Sequence, residues 1–209
     1  MAVAMNVHWG CGLVAPESWV NFDCSLTISL QRVPVFGRVF KRNPFPRFPW
    51  NVKRGNIASG LPLSSGCADL VYCSHALEHL ALDEFRMALN ETYRLLKPGG
   101  YFRLVVPDLE RIAKEYLESE SDRASHRFMK SSILGLEKKD RRFRGRVRDA
   151  LGASKHLWMW DYKSMLVELE QAGFCEIRRA QFGDSGIAAF EDVEVEDRWQ
   201  HELGVQCRR

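Results

Sequence analysis

The residues of this chain that could do chemistry are grouped by their spacing. Gly10-Cys11-Gly12 closes a short apolar run, Val7 to Trp9, and Asp23 closes the next run, Trp19 to Phe22. Two glycines let backbone amides come close to a ligand, and a carboxylate one strand over can accept hydrogen bonds from a ribose diol. That is the chemistry of a nucleoside-binding crevice, although a G-x-G turn alone is also an ordinary turn. Asn56-Ile57 follows a third run and Ser74-His75 a fourth. Asn56 could bond an adenine edge while Ile57 covers a ring face. A further group is His75, Glu78 and His79. On a helix starting after Ser74 the two histidines would share a face at i, i+4, a spacing that can hold a divalent metal. The alternative is that Glu78 and His79 fix the helix start by hydrogen bonds while His75 lines a pocket. We assign no metal on the sequence.

These groups need a scaffold. The chain has 209 residues, enough for one α/β domain with an insertion or two. With 45% hydrophobic and 27% charged residues it has the make-up of a soluble globular protein. No apolar run is long enough to cross a bilayer, and the N-terminus lacks the pattern of a signal peptide, so a cytoplasmic location is expected. The six cysteines are scattered without a C-x-x-C pair, which argues against a zinc site or a disulfide scaffold of cysteines. A net charge of +3 does not by itself imply nucleic acid.

Met5 to Trp9 and Trp19 to Phe22 are expected to be strands. The loop between them is too short for a full crossover helix. Val52 to Ile57 is expected as a third strand, and Ala68 to Cys73 is a near-continuous apolar run, the mark of a buried parallel strand. Asp83 to Lys97 has helical spacing in Phe85, Ala88, Leu89, Thr92 and Leu96, and Pro98-Gly99-Gly100 stops it. Tyr101 to Val106 is the next strand, and strand–helix–strand implies a right-handed parallel unit. Leu109 to Leu117 reads as a helix. Asp161 can cap another helix, with Met165, Leu166 and Leu169 inward and Gly173 at its end. Cys175 to Phe182 and Glu202 to Arg208 are expected to pair antiparallel.

Two segments stand apart. Residues 25–50 mix four prolines with aromatic and basic side chains, which argues against a long helix beyond about Phe40. They suit a loop packed over the sheet edge, or a lid for an anionic or amphiphilic partner. Residues from about 120 to 155 form a basic insertion, helical in pieces; it is a solvated face or a contact for phosphate, sulfate or uronate groups. Glu191, Asp192, Glu194, Glu196 and Asp197 could balance it.

With these residues in place the sequence resembles the class I S-adenosylmethionine-dependent methyltransferases, and within them the bacterial methyltransferase type 11 group. The resemblance rests on VHWGCG, WVNFD, GNIASGLPL, ADLVYCSHALEHL, YRLLKPGGYFRLVVPDLE and HLWMWD. It implies a Rossmann-like, doubly wound α/β fold, a mostly parallel sheet with a C-terminal antiparallel strand, formed by residues 1–209 as one domain. It implies S-adenosylmethionine as cofactor, held by Gly10, Cys11, Gly12, Asp23, Asn56, Ile57 and Ser74. Trp9 before the turn and Asn56 in place of the commoner Asp depart from the family pattern. Methyl transfer needs alignment, plus a base when the acceptor is a hydroxyl. His75 and His156 are the candidates, although each alone also suits a structural histidine. The group's association with polysaccharide biosynthesis implies a small-molecule or glycan acceptor. The rivals are a nucleic-acid methyltransferase, motivated by the basic segments but without an amine-methylation motif, and a non-catalytic cofactor-binding or scaffold protein.

Overall fold

The structure, a computed structural model, describes residues 4–33, 47–135 and 155–209. Its frame is a seven-stranded sheet: β1 (Asn6–Trp9), β2 (Val20–Asp23), β3 (Lys53–Arg54), β4 (Ala68–Ser74), β5 (Leu96–Pro107), β6 (Cys175–Ala180) and β7 (Glu202–Arg208). The spatial order is β3-β2-β1-β4-β5-β7-β6. The pairs β1–β2, β1–β4, β2–β3 and β4–β5 are parallel; β7 runs antiparallel between β5 and β6. The chain leaves β1 for β2 on one side and later returns to β4 on the other. The strand order therefore reverses between β1 and β4, and such a reversal opens a crevice at the carboxyl ends of the strands.

Alternation along the strands gives two different faces. On the first, Val7, Trp9, Phe22, Val71, Cys73, Phe102, Leu104 and Leu203 are buried in one core with Phe85, Ala88, Leu89, Met165 and Leu169. The latter come from α2 (Leu82–Leu95) and α5 (Tyr162–Gln171). Trp9, unusual before such a turn, stacks on Phe102 at 6.4 Å between ring centroids. On the second face Trp19, Leu70, Tyr72 and Val105 pack under Phe190, Val193 and Trp199. The cover here is the connection 181–201, built from the short 3-10 turns Ala188–Asp192 and Glu196–Arg198. His8 also points to this face, edge-on to Tyr72 at 5.1 Å, and burial pushes its pKa down to about 3. It stays neutral and structural.

Several boundaries differ from the sequence expectation for local reasons. The third strand is only Lys53–Arg54, because Asn56 turns the chain by capping a 3-10 turn at Ile57–Ser59. Helix α2 stops at Leu95, since Leu96 is already extended; Lys97 pairs with Asp69 at 2.7 Å instead of closing the helix. No helix starts after Ser74. His75 takes a left-handed backbone (φ +51°), Leu77–His79 is one 3-10 turn, and Leu80 is extended again. His75 and His79 therefore do not sit at i, i+4 on a helix face.

Residues 10–19 contain no helix, in keeping with the short first connection. Within the proline-rich segment a short α1 (Leu26–Gln31) forms, with Ser25 capping the amide of Thr27; residues 34–46 lie outside the described residues. In the basic insertion α4 (Ala124–Ser131) is formed after α3 (Leu109–Leu117), and the Arg-rich stretch 136–154 lies outside the described residues. Glu194, expected as a counter-charge to the insertion, has its partners elsewhere among the described residues. Its carboxylate bonds the fully buried Arg103 of β5 and the amide of Gly183.

Candidate active site

The glycine turn leaves β1 with Gly10 and Gly12 both at positive φ, +63° and +54°. A side chain at Gly10 could not be accommodated: its Cβ would come within 2.5 Å of the Ala76 Cβ in the loop after β4. Around a Cβ at Gly12 there would be nothing within 4 Å, so backbone faces open space there. Asp23, at the end of β2, accepts the Gly12 amide on Oδ2 at 3.0 Å and the Ser25 amide on Oδ1 at 2.9 Å. Each carboxylate oxygen keeps a further lone pair for a ligand hydroxyl. Cys11 lies inside this loop, and burial with the nearby Asp23 charge pushes its thiol up to about 12. It acts as a small apolar residue, and its amide donates to the Phe22 carbonyl at 3.1 Å.

A cavity of about 430 Å³ opens at the ends of β2 and β3, lined by Cys24, Ser29, Arg54, Gly55 and Asn56. That is within the range of small-ligand pockets. The Asn56 Oδ1 is committed to the Ala58 amide at 3.0 Å, so its amide NH₂ is the group left to meet a ligand, as a donor. Ile57 is only 6% exposed and sits in the core. Ser74 is buried at the end of β4. Cys24, Ser29 and Arg54 were not anticipated. Arg54 could have been, since it lies two positions before Asn56 on the same strand end.

A nucleoside ligand fits this arrangement. Open backbone at Gly12 and a carboxylate with spare acceptor capacity stand at the ends of β1 and β2, next to the strand-order reversal, and a free amide donor lines the neighbouring cavity at the ends of β2 and β3. These are the donors and acceptors that a ribose diol and a purine edge require.

Across the glycine turn, His75 is held by both ring nitrogens. Nε2–H donates to the Arg198 carbonyl at 3.0 Å, and Nδ1 lies 3.4 Å from Glu78 Oε1. Burial by itself lowers the His75 pKa. Hydrogen bonds to Glu78 and to the Arg198 carbonyl, with the charges of Glu78 and Glu202, outweigh it, and the net shift is upward. Arg198 and Glu202 belong to the C-terminal acidic stretch and β7, a link between distant parts of the chain that no local pattern carries. His156 is nearly buried, and burial lowers its pKa against the opposing charge of Glu78. Its segment is tied to Glu78 directly: the amides of Leu157 and Trp158 donate to the Glu78 carbonyl at 2.7 and 3.2 Å. Leu157 and Trp158 themselves are exposed. Asp108, a possible substrate contact by position, is occupied as the cap of α3, accepting the amides of Glu110 and Arg111.

Residues 9–104 match the family model of a methyltransferase domain. No curated protein matches the chain. Among solved structures it is similar to a SAM-dependent methyltransferase from Archaeoglobus fulgidus, with TM-score 0.51 and 14% identity over 100% of this chain and 87% of that one. One from Mesorhizobium loti has TM-score 0.50 and 20% identity over 99% and 92%. One from Thermotoga maritima has TM-score 0.50 and 18% identity over 98% and 81%. At such identities these likenesses show the fold.

Proposed function

We propose that this chain is a class I S-adenosylmethionine-dependent methyltransferase, a reading supported by the family-model match over residues 9–104, and that it methylates a hydroxyl on a small-molecule or glycan acceptor, as polysaccharide biosynthesis would require. Bound in the crevice, S-adenosylmethionine supplies an electrophilic methyl group on a sulfonium. The residues supply the rest. The glycine-turn backbone and Asp23 take the polar end and ribose, and Asn56 donates to the purine. Cys11, Ile57 and Ser74 are buried and serve as packing behind the crevice. His75 is assigned to receive the acceptor's proton on Nδ1, the nitrogen left with a lone pair once Nε2–H is on the Arg198 carbonyl, and for this Nδ1 has to turn from Glu78, 3.4 Å away, toward the acceptor. The exposed Trp158 offers a flat apolar surface of the kind that stacks on a sugar face.

The observation that carries this reading is the convergence of His75 and the glycine turn across one loop contact, Gly10 against Ala76. His75→Ala and His75→Asn are expected to reduce turnover by roughly 10²- to 10⁴-fold, the usual contribution of a general base, with unchanged cofactor affinity by calorimetry. Wild-type turnover in both would remove the base assignment. The acceptor itself is sought by transferring a labelled methyl group into fractionated cell extract and identifying the labelled product. Label found only in nucleic acid would favour the rival reading.

A further inference from the structure

Glu78 is fully buried, and neither of its carboxylate oxygens has a hydrogen-bond donor among the described residues. Glu194 makes the contrast: also buried, it has Arg103 on one oxygen and the Gly183 amide on the other. A buried carboxylate left without such partners is costly, so positive charge has to stand near it. His75 provides one contact. Two further imidazoles converge on the same oxygen: His79 Nε2 at 3.8 Å and His156 Nε2 at 3.9 Å from Oε1. One ligand-capable atom from each of Glu78, His79 and His156 lies within 4.8 Å of the others.

The protonation of His79 is fixed by its far side. Nδ1 lies 3.2 Å from the Lys155 carbonyl, which can only accept, so Nδ1 carries the hydrogen. Its Nε2 then presents a lone pair to a carboxylate, and two acceptors face each other across 3.8 Å. An imidazole whose outer N–H is anchored on a backbone carbonyl while its inner nitrogen points at a shared centre is the common arrangement of a metal-bound histidine.

We propose that Glu78, His79 and His156 bind one divalent transition-metal cation of the zinc class. Two nitrogens and one carboxylate oxygen favour such a cation over magnesium or calcium, which prefer all-oxygen sites. Ligand atoms about 2.0–2.2 Å from a tetrahedral zinc stand roughly 3.3–3.6 Å apart, so the two histidine–carboxylate spacings close by a few tenths of an ångström, and the histidine–histidine spacing, within 4.8 Å, closes by rotation of the partly exposed His79 ring. The two backbone bonds from Leu157 and Trp158 to the Glu78 carbonyl already hold the segments together. The side chains of His79 and His75 are 27% and 22% exposed, which leaves a route from solvent and an open coordination position. With two oxygens, Glu78 can hold the cation and still face His75. The cation would pin residues 155–161 to the end of β4 whatever the acceptor is.

The test uses the full, untagged chain, stripped with a chelator and dialysed against zinc, with bound metal measured by elemental analysis. A parallel sample takes cobalt(II) and is read by visible absorption. One zinc per chain and the intense bands of four-coordinate cobalt are expected, with magnesium unable to displace either. His79→Gln and His156→Gln should each weaken zinc binding by roughly 100-fold, at the upper end of what disturbing such a site costs. His79 is partly exposed, so His79→Gln decides the matter if the other variant does not fold. Absence of retained zinc would overturn the site. So would zinc retained equally by His79→Gln, which would place it on surface thiols such as Cys24 and Cys175.

Discussion

Asp23 does two things that one substitution removes together. It anchors the glycine turn through the Gly12 amide, and it presents a charged acceptor to the crevice. Asp23→Ala is therefore expected to weaken S-adenosylmethionine binding by roughly 1.5–3 kcal/mol, the worth of hydrogen bonds to a charged group. Isothermal calorimetry checks it, and unchanged affinity would show that the ribose lies elsewhere. At Gly10 the expected loss has a different cause. An alanine there meets Ala76 at 2.5 Å and is strained by its positive φ, so Gly10→Ala should cost both stability and cofactor affinity. A denaturant titration reads the first. The turn at Gly10 and Gly12 and the strand-end place of Asp23 were legible in the sequence because turn and strand-end chemistry is local. The committed Oδ1 of Asn56 and the buried side chain of Ile57 were not, since both follow from a 3-10 turn set by tertiary packing.

Among the elements, α5 was read closely. Asp161 caps it through the Ser164 amide at 2.8 Å, Met165 and Leu169 are buried, and Gly173 ends it at φ +96°. Asp161→Ala is expected to cost about 1 kcal/mol. Bonds from the Ser164 hydroxyl and amide hold the Asp161 pKa below its ordinary value. Its contribution is thus present above the unfolded carboxylate value, about 3.9, and fades as pH falls through the lower folded one. The stability gap between wild type and Asp161→Ala should shrink accordingly in acid titrations. The element that escaped the sequence is the pairing of β5 with residues 181–201. Arg103 looks like any polar residue in an apolar strand, yet it is fully buried among Glu194, Asp184 and Gln206 and lies 4.4 Å over Trp199. Glu194→Ala leaves that guanidinium short of a partner and should destabilise the fold by roughly 3–5 kcal/mol. Replacing Arg103 and Glu194 together by apolar residues should recover much of this.

For the molecule as a whole, a ligand that binds only the folded chain must stabilise it. S-adenosylmethionine at 100 times its dissociation constant adds about 2.7 kcal/mol, which for a chain of this size raises the melting temperature by roughly 5–10 °C. A thermal scan with cofactor, and with adenosine alone as a control, measures it. The mostly parallel sheet and the antiparallel pairing of its last two strands were legible at this scale because short connections and apolar runs leave few topologies. The cover of the second face was not, because residues 181–201 carry no regular period. That cover has a consequence in time. Trp19, Tyr72 and Val105 are synthesised well before the residues that seal them, Phe190, Val193 and Trp199. The Arg198 carbonyl that fixes His75 arrives with them. During translation the β1–β5 part of the first face can assemble on α2 and α5 while the second face, and β7, wait. A nascent chain halted before residue 190 would expose an aromatic surface to chaperones and proteases, with His75 unanchored. Residues 190–199 thus finish the second face and anchor His75 together.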